Sequence, residues 1–253
     1  MKNIALLCLT ILFMSCVSTP QGTTSTDWPS SSSIQAVEYT QTFTYNLIAF
    51  TGDKPDFQYP VEIVNFFIDN FKSTFRVNNI TTLSGSTATF DNLKAAVDPY
   101  KNVDDAVNII LYSGHGSKFE FATYSPIQYK SFFEYLNMTT TPTIIFAANC
   151  NSGNLSKYLK PGTPITLITA SMPDVSTSSG SNNGVHLNML ASIIYALQGG
   201  TSIDSDGDRQ ILIGEVVSAA SGIAAENIER HGKGWARFGV YLWGDDTRVV
   251  ATY

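Results

Sequence analysis

The chain predicts an α/β domain whose sheet is mostly parallel and covered by helices on both faces. Short apolar runs recur at lengths that suit strands buried on both sides, and amphipathic stretches at helical spacing separate them. Two of the runs stop abruptly in small-residue turns: Asn108-Ile109-Ile110-Leu111-Tyr112-Ser113-Gly114-His115-Gly116-Ser117 and Ile144-Ile145-Phe146-Ala147-Ala148-Asn149-Cys150-Asn151-Ser152-Gly153. Open α/β sheets place their chemistry at such strand ends. Strands alternating with helices imply right-handed crossovers.

Taken in order, residues 46–50 read as a strand. After the turn-forming Thr51-Gly52-Asp53-Lys54-Pro55, a helix carries Ile63, Val64, Phe67, Ile68 and Phe71 on one face. Residues 76–83 form a more polar strand suited to a sheet edge, 91–97 a short helix, and 107–112 the His-bearing strand. An amphipathic helix is expected over 127–136, the Cys-bearing strand over 143–148, a further strand over 165–170, a helix over 186–197 and a last strand over 239–243.

The N-terminus reads as an export signal. Lys2 supplies a positive charge, residues 4–14 are apolar, and Ser15-Cys16 follows. The run is too short to span a bilayer as a mature helix. A cysteine directly after it fits a bacterial lipoprotein signal in which Cys16 is lipidated; an ordinary cleaved signal is the alternative. Residues 17–36, rich in Ser, Thr, Pro, Gln and Gly, read as a tether, and 37–253 as one domain. The expected location is the bacterial cell envelope, with the membrane as partner through the lipid anchor, and the expected state is a monomer. Net charge is −6 with 15 Lys plus Arg and no basic run, so nucleic acid is not an expected partner.

Once the signal is removed, Cys150 is the only cysteine in the folded part, so no internal disulfide framework is expected. A lone cysteine is often buried and inert. Here the strand-end context and His115 on a comparable strand end favour a nucleophile and base pair. Gly116 lets a substrate carbonyl approach the backbone, and its N–H with that of Cys150 can form an oxyanion hole. A helix is expected to open at Gly153 and Asn154.

A second constellation runs from Asp204 to Glu215. Asp204, Asp206, Asp208 and Glu215 fall at the first, third, fifth and twelfth places of a calcium loop, Gln210 supplies its backbone carbonyl, and Ile211 is the apolar eighth residue. The sixth place, ordinarily glycine, is Arg209. Bound calcium between two helices, the second over 215–225, is one reading. A solvated acidic turn with a helix N-cap is the other. His186 reads as a packed histidine on a helix face and His231 as a residue of a solvated loop; neither has metal-ligand spacing. No zinc motif, phosphate loop or nicotinamide fingerprint occurs.

At His115-Gly116-Ser117 and Cys150-Asn151-Ser152-Gly153 the chain resembles the caspase-like (clan CD) cysteine peptidases, in particular the legumain family. The resemblance implies a caspase-like three-layer sandwich on a central sheet of about six strands. It implies His115 as general base or acid and Cys150 as nucleophile. It puts Ile168-Thr169-Ala170-Ser171 beside the substrate pocket, with Ser171 at its wall. Where legumains carry a substrate-binding arginine this chain has Gln58, which departs from asparagine specificity. Asp174, in Pro173-Asp174-Val175, can instead receive a Lys or Arg side chain as in arginine- and lysine-specific relatives, or serve as a turn residue. The expected function is a cysteine endopeptidase acting on peptides or proteins through an acyl-enzyme, with no cofactor required for catalysis. The P1 preference is open between Asn/Asp and Arg/Lys. An inactive surface-binding lipoprotein and a peptide ligase or transamidase on the same dyad are the alternatives. Residues 175–184, rich in Ser, Gly and Asn, are the segment expected to be nicked if the enzyme is made latent.

Overall fold

The computed structural model describes residues 43–52, 59–182, 184–232, 234–244 and 246–252, all within the unit Ala36–Tyr253. The signal segment 1–16 with Cys16, the tether 17–36 and Gln58 lie outside the described residues. The chain runs β1 (Thr44–Thr51), α1 (Tyr59–Thr74), β2 (Val77–Leu83), α2 (Phe90–Val97), β3 (Ala106–Ser113), a short hairpin of β4 (Glu120–Phe121) and β5 (Ile127–Gln128), and α3 (Tyr129–Leu136). It continues through β6 (Thr143–Ala148), a 3-10 helix at Ser152–Tyr158, β7 (Ile165–Thr169), a hairpin of β8 (Gly180–Asn182) and β9 (Val185–Leu187), and α4 (Met189–Gln198). Last come β10 (Gln210–Leu212), α5 (Ile213–His231), β11 (Tyr241–Trp243) and β12 (Val249–Thr252).

Six strands form the central sheet in the order β11-β7-β6-β3-β1-β2. All neighbours pair in parallel except β11, which runs antiparallel to β7. β3 and β6 are buried at every residue, as strands with partners on both edges and helices on both faces must be. Side chains alternate across them. Leu47, Val107, Ile109, Leu111, Ile144 and Phe146 pack on one face with Phe67 and Phe71 of α1, Ile193 of α4 and Val216 of α5. Ile48, Phe50, Ile110, Tyr112 and Ile145 pack on the other with Leu93 of α2 and Phe132 and Phe133 of α3. The fold is therefore a three-layer α/β sandwich on a six-stranded, mostly parallel sheet. β2, the polar strand, sits at the edge, with exposed and half-buried residues alternating along it.

Several expected boundaries move. The helix expected from 127 starts at Tyr129, because Ile127 and Gln128 pair antiparallel with Phe121 and Glu120. The helix expected from 186 starts at Met189, where the Asn188 side chain accepts from the Leu190 N–H at 2.8 Å and caps it. His186 accordingly lies on β9 and not on a helix. The second helix of the acidic segment is longer than expected, Ile213–His231, and His231 ends it, its carbonyl accepting from the Asn182 side chain at 2.7 Å. The final strand of the sheet is only Tyr241–Trp243. At Tyr129 and Met189 apolar spacing alone could not separate a short antiparallel strand from the first turn of the next helix.

His186 joins the β8–β9 hairpin to α1. Its ring lies 4.7 Å from that of Phe66, and its buried Nδ1 has no partner among the described residues. Burial holds its pKa below the ordinary histidine value of 6.5, against a weaker opposing pull from Glu62. Between that lowered value and 6.5 the unfolded chain binds more protons than the folded one. This contribution to stability is therefore full above the window and lost as pH falls through it. Thermal unfolding of wild type and His186→Phe from neutral to acidic pH should show a shallower acid loss in the variant. Parallel slopes would place the acid sensitivity elsewhere.

Candidate active site

Parallel pairing sets Ser113 at the end of β3 directly beside Ala148 at the end of β6. His115 and Cys150 each follow two residues later, so the two loops leave the sheet side by side at its carboxyl rim. His115 is exposed and Cys150 half-buried.

The cysteine loop is shaped by its small residues. Asn151 takes the left-handed conformation at φ 58°, which asparagine tolerates better than most side chains, and turns the chain sharply away from β6. Ser152 is fully buried. Its Oγ accepts from the Ser171 N–H at 3.1 Å and lies 3.1 Å from the Ser171 hydroxyl. Gly153 is pressed against the next turn so closely that a Cβ there would come within 2.4 Å of the Met172 carbonyl carbon. The Ser-Gly pair after Cys150 thus seats the loop on the end of β7. The helix that follows is of 3-10 type and opens at Ser152 rather than at Gly153, so the expected α-helical N-terminus is not formed beside the sulfur.

The histidine loop is held from beneath. Its His115 carbonyl accepts from the Tyr112 hydroxyl at 2.5 Å and from the Ala122 N–H at 3.0 Å. A Cβ on Gly116 would lie 2.0 Å from Asn149 Nδ2, so only glycine lets the two loops come this close. Across that contact runs a chain of hydrogen bonds. Asn149 Nδ2 donates to the Cys150 carbonyl at 2.7 Å and to the Tyr129 hydroxyl at 2.9 Å, and the Tyr129 hydroxyl donates to the Ser117 carbonyl at 3.1 Å. Burial pushes the Tyr129 phenol well above its ordinary range, which keeps it a donor. Asn149 Oδ1 is buried without a partner among the described residues. The two bonds from Nδ2 fix the orientation of the Asn149 side chain between the two loops.

The sulfur itself meets residue 177. Thr177 donates its N–H to Cys150 Sγ at 3.3 Å, the Thr177 carbonyl lies 3.3 Å from Sγ, and its hydroxyl 3.7 Å away. Neither the Gly116 nor the Cys150 N–H donates to another described residue. Asp174 lies on the same rim in the left-handed conformation, φ 61°, and pairs with Lys118 of the histidine loop at 3.1 Å. That bond with Lys118, then a weaker one from Asn154, holds the exposed carboxyl below its ordinary range. Ser171, expected at the pocket wall, is instead buried under the cysteine loop.

Asp204, Asp206 and Asp208 come together, each offering a carboxylate oxygen within 4.8 Å of the others. Arg209 adopts φ 70°, the turn that glycine ordinarily makes at its position. Glu215 does not join the cluster. Glu215 accepts from the Ser205 and Leu212 N–H groups, closing the loop and capping α5, while Gln210 begins β10, which pairs antiparallel with β12. Three carboxylates suit a hard cation, but the remaining ligands would have to come from elsewhere.

Tyr112, Tyr129, Asn149, Lys118 and Thr177 are site residues that sequence reasoning missed. Asn149 alone left a signal, as a polar side chain at the end of an otherwise apolar strand. Tyr129→Phe should keep its packing against Phe121, at 4.8 Å between ring centroids, and lose only the hydroxyl. Chemical denaturation should then show a loss of about 1–3 kcal/mol. A variant as stable as wild type would mean that the tie between the loops carries no energy.

No protein-family model matches the chain, and no curated protein matches it. Among solved structures, the crystal structure of caspase-1 from Spodoptera frugiperda superposes with a TM-score of 0.59 at 9% identity, covering 83% of this chain and 91% of that one. The chain has a caspase-like fold.

Proposed function

We propose that the chain is a cysteine endopeptidase of legumain type, exported and anchored by lipid at Cys16, with Cys150 as nucleophile and His115 as its base and acid. One observation carries the reading: the β3–β6 register delivers both motif ends to one rim, where the Asn149–Tyr129 tie fixes one loop against the other. In the reaction His115 takes the thiol proton as Sγ attacks the scissile carbonyl, and the Gly116 and Cys150 N–H groups receive the oxyanion. His115 then passes the proton to the leaving amine. Water, deprotonated by the same imidazole, releases the acyl group. An amine arriving before water would turn hydrolysis into ligation on the same residues.

The Asp174–Lys118 pair supports a concrete account of P1 selection. An Arg or Lys side chain would replace Lys118 on Asp174, whereas an Asp or Asn side chain would draw Lys118 away from it. Calcium at Asp204, Asp206 and Asp208 belongs to the same proposal as a stabilising ion remote from the chemistry in sequence.

A panel of peptides bearing Asn, Asp, Arg or Lys at P1, assayed with the full chain with and without calcium, tests the reading. Hydrolysis should fall at least about 1,000-fold in Cys150→Ala and His115→Ala. Absence of cleavage of any peptide by wild type, whether intact or nicked within residues 175–184, would favour a surface-binding protein that keeps the fold.

A further inference from the structure

The residues that touch the sulfur belong to a segment with its own set of partners. Val175 accepts from the Asn151 N–H at 2.8 Å, next to the cysteine. Thr177 wraps Sγ with its N–H, carbonyl and hydroxyl. Ser178 then exchanges both backbone hydrogen bonds with Arg237, its N–H donating at 2.7 Å and its carbonyl accepting at 2.9 Å, and its hydroxyl donates to the Trp235 carbonyl. Gly180 passes under the Trp235 indole, where a Cβ would meet the ring at 3.0 Å. The segment is therefore extended between the cysteine and a second stretch of backbone, held on both sides by main-chain groups.

This is the way an extended peptide docks by adding a strand to an exposed edge. It is also how a peptide would have to lie for its carbonyl to reach Cys150. The occupant here is the protein's own chain, and it is weakly anchored for that task. Its side chains are Val, Ser, Thr and Ser; Val175 is 48% exposed, and Thr177 and Ser178 are only half-buried. No large apolar side chain of the segment enters the core, so its hold rests on a handful of hydrogen bonds that a longer peptide can replace.

We propose that residues 175–178 form a displaceable strap that occupies the peptide groove and shields Cys150, so that a substrate must first lift it from Arg237 and from the sulfur. The strap regulates the site read above as a peptidase and rests on that reading for its purpose. Its test does not, because alkylation reports access to the sulfur whether or not peptides are cleaved.

In the full chain, Ser178→Pro removes the N–H that donates to Arg237 and the hydroxyl that donates to Trp235. Ser178→Ala removes the hydroxyl alone. Iodoacetamide modification of Cys150, followed by peptide mass analysis with Cys150→Ala as blank, should run about 10-fold faster in Ser178→Pro and be intermediate in Ser178→Ala, as loss of the strap's bonds raises the open population. Hydrogen exchange of wild type should find the Ser178 and Arg237 amides protected. Equal alkylation rates in folded variants overturn the strap, as does free exchange of those two amides in wild type. If Ser178→Pro fails to fold, the exchange measurement and Ser178→Ala decide alone. A Ser178→Pro variant that alkylates faster than wild type yet cleaves no peptide would sink the peptidase reading and leave the strap standing.

Discussion

The pairing of β3 with β6, in a register that sets Ser113 beside Ala148, fixes where the histidine and cysteine loops leave the sheet. Because both strands are buried on two faces and two edges, sliding either one would expose one apolar set and bury mismatched partners. The register is thus enforced by the whole sandwich. The loops inherit it: whatever follows Ser113 and Ala148 emerges side by side. The loops that carry His115 and Cys150 are brought to one rim by this constraint.

The short motifs around these residues have physical reasons that do not depend on chemistry. Gly116 is required by the side chain of Asn149, Gly153 by the backbone at Met172, and Ser152 by the hydrogen bond from Ser171. Each removes bulk or supplies a bond where two loops and a neighbouring turn crowd together. The tie from Cys150 through Asn149 and Tyr129 to Ser117 spans the same crowding and leaves Asn149 Oδ1 unpaired. Buried polar atoms are rarely left so, and where they are, the geometry they enforce is usually needed. Precise seating of two loops is what a nucleophile and its base require.

Much of this was legible in the chain, and the reason is burial. Ile109 to Tyr112 and Ile144 to Ala147 are uninterrupted apolar runs because strands covered on both faces need them, and the alternation with Phe67, Phe71, Phe132 and Phe133 on helices followed from their spacing. The strand ends, and with them His115 and Cys150, came from the same runs. What stayed hidden was set by contacts distant in sequence. Tyr129 carries no signal in the sequence, and its hydroxyl matters only because α3 starts under Ser117. Thr177 lies in a Ser- and Thr-rich stretch with no pattern, and its place against the sulfur depends on Arg237 at the far side of α5. Ser171 was expected at the pocket and proved to be a support, since its hydroxyl faces inward to Ser152. The acidic loop showed its spacing but not that Glu215 is committed to Ser205 and Leu212.

The account stands on Cys150 being activated by His115 across the rim. The most direct measurement is the rate of Cys150 alkylation as a function of pH in wild type and in His115→Ala, each checked for native unfolding behaviour. A working pair predicts that modification at mildly acidic pH, at whatever rate the strap allows in wild type, slows markedly when the imidazole is removed. Identical profiles in the two proteins would contradict the pairing and leave Cys150 an ordinary thiol in a caspase-like fold.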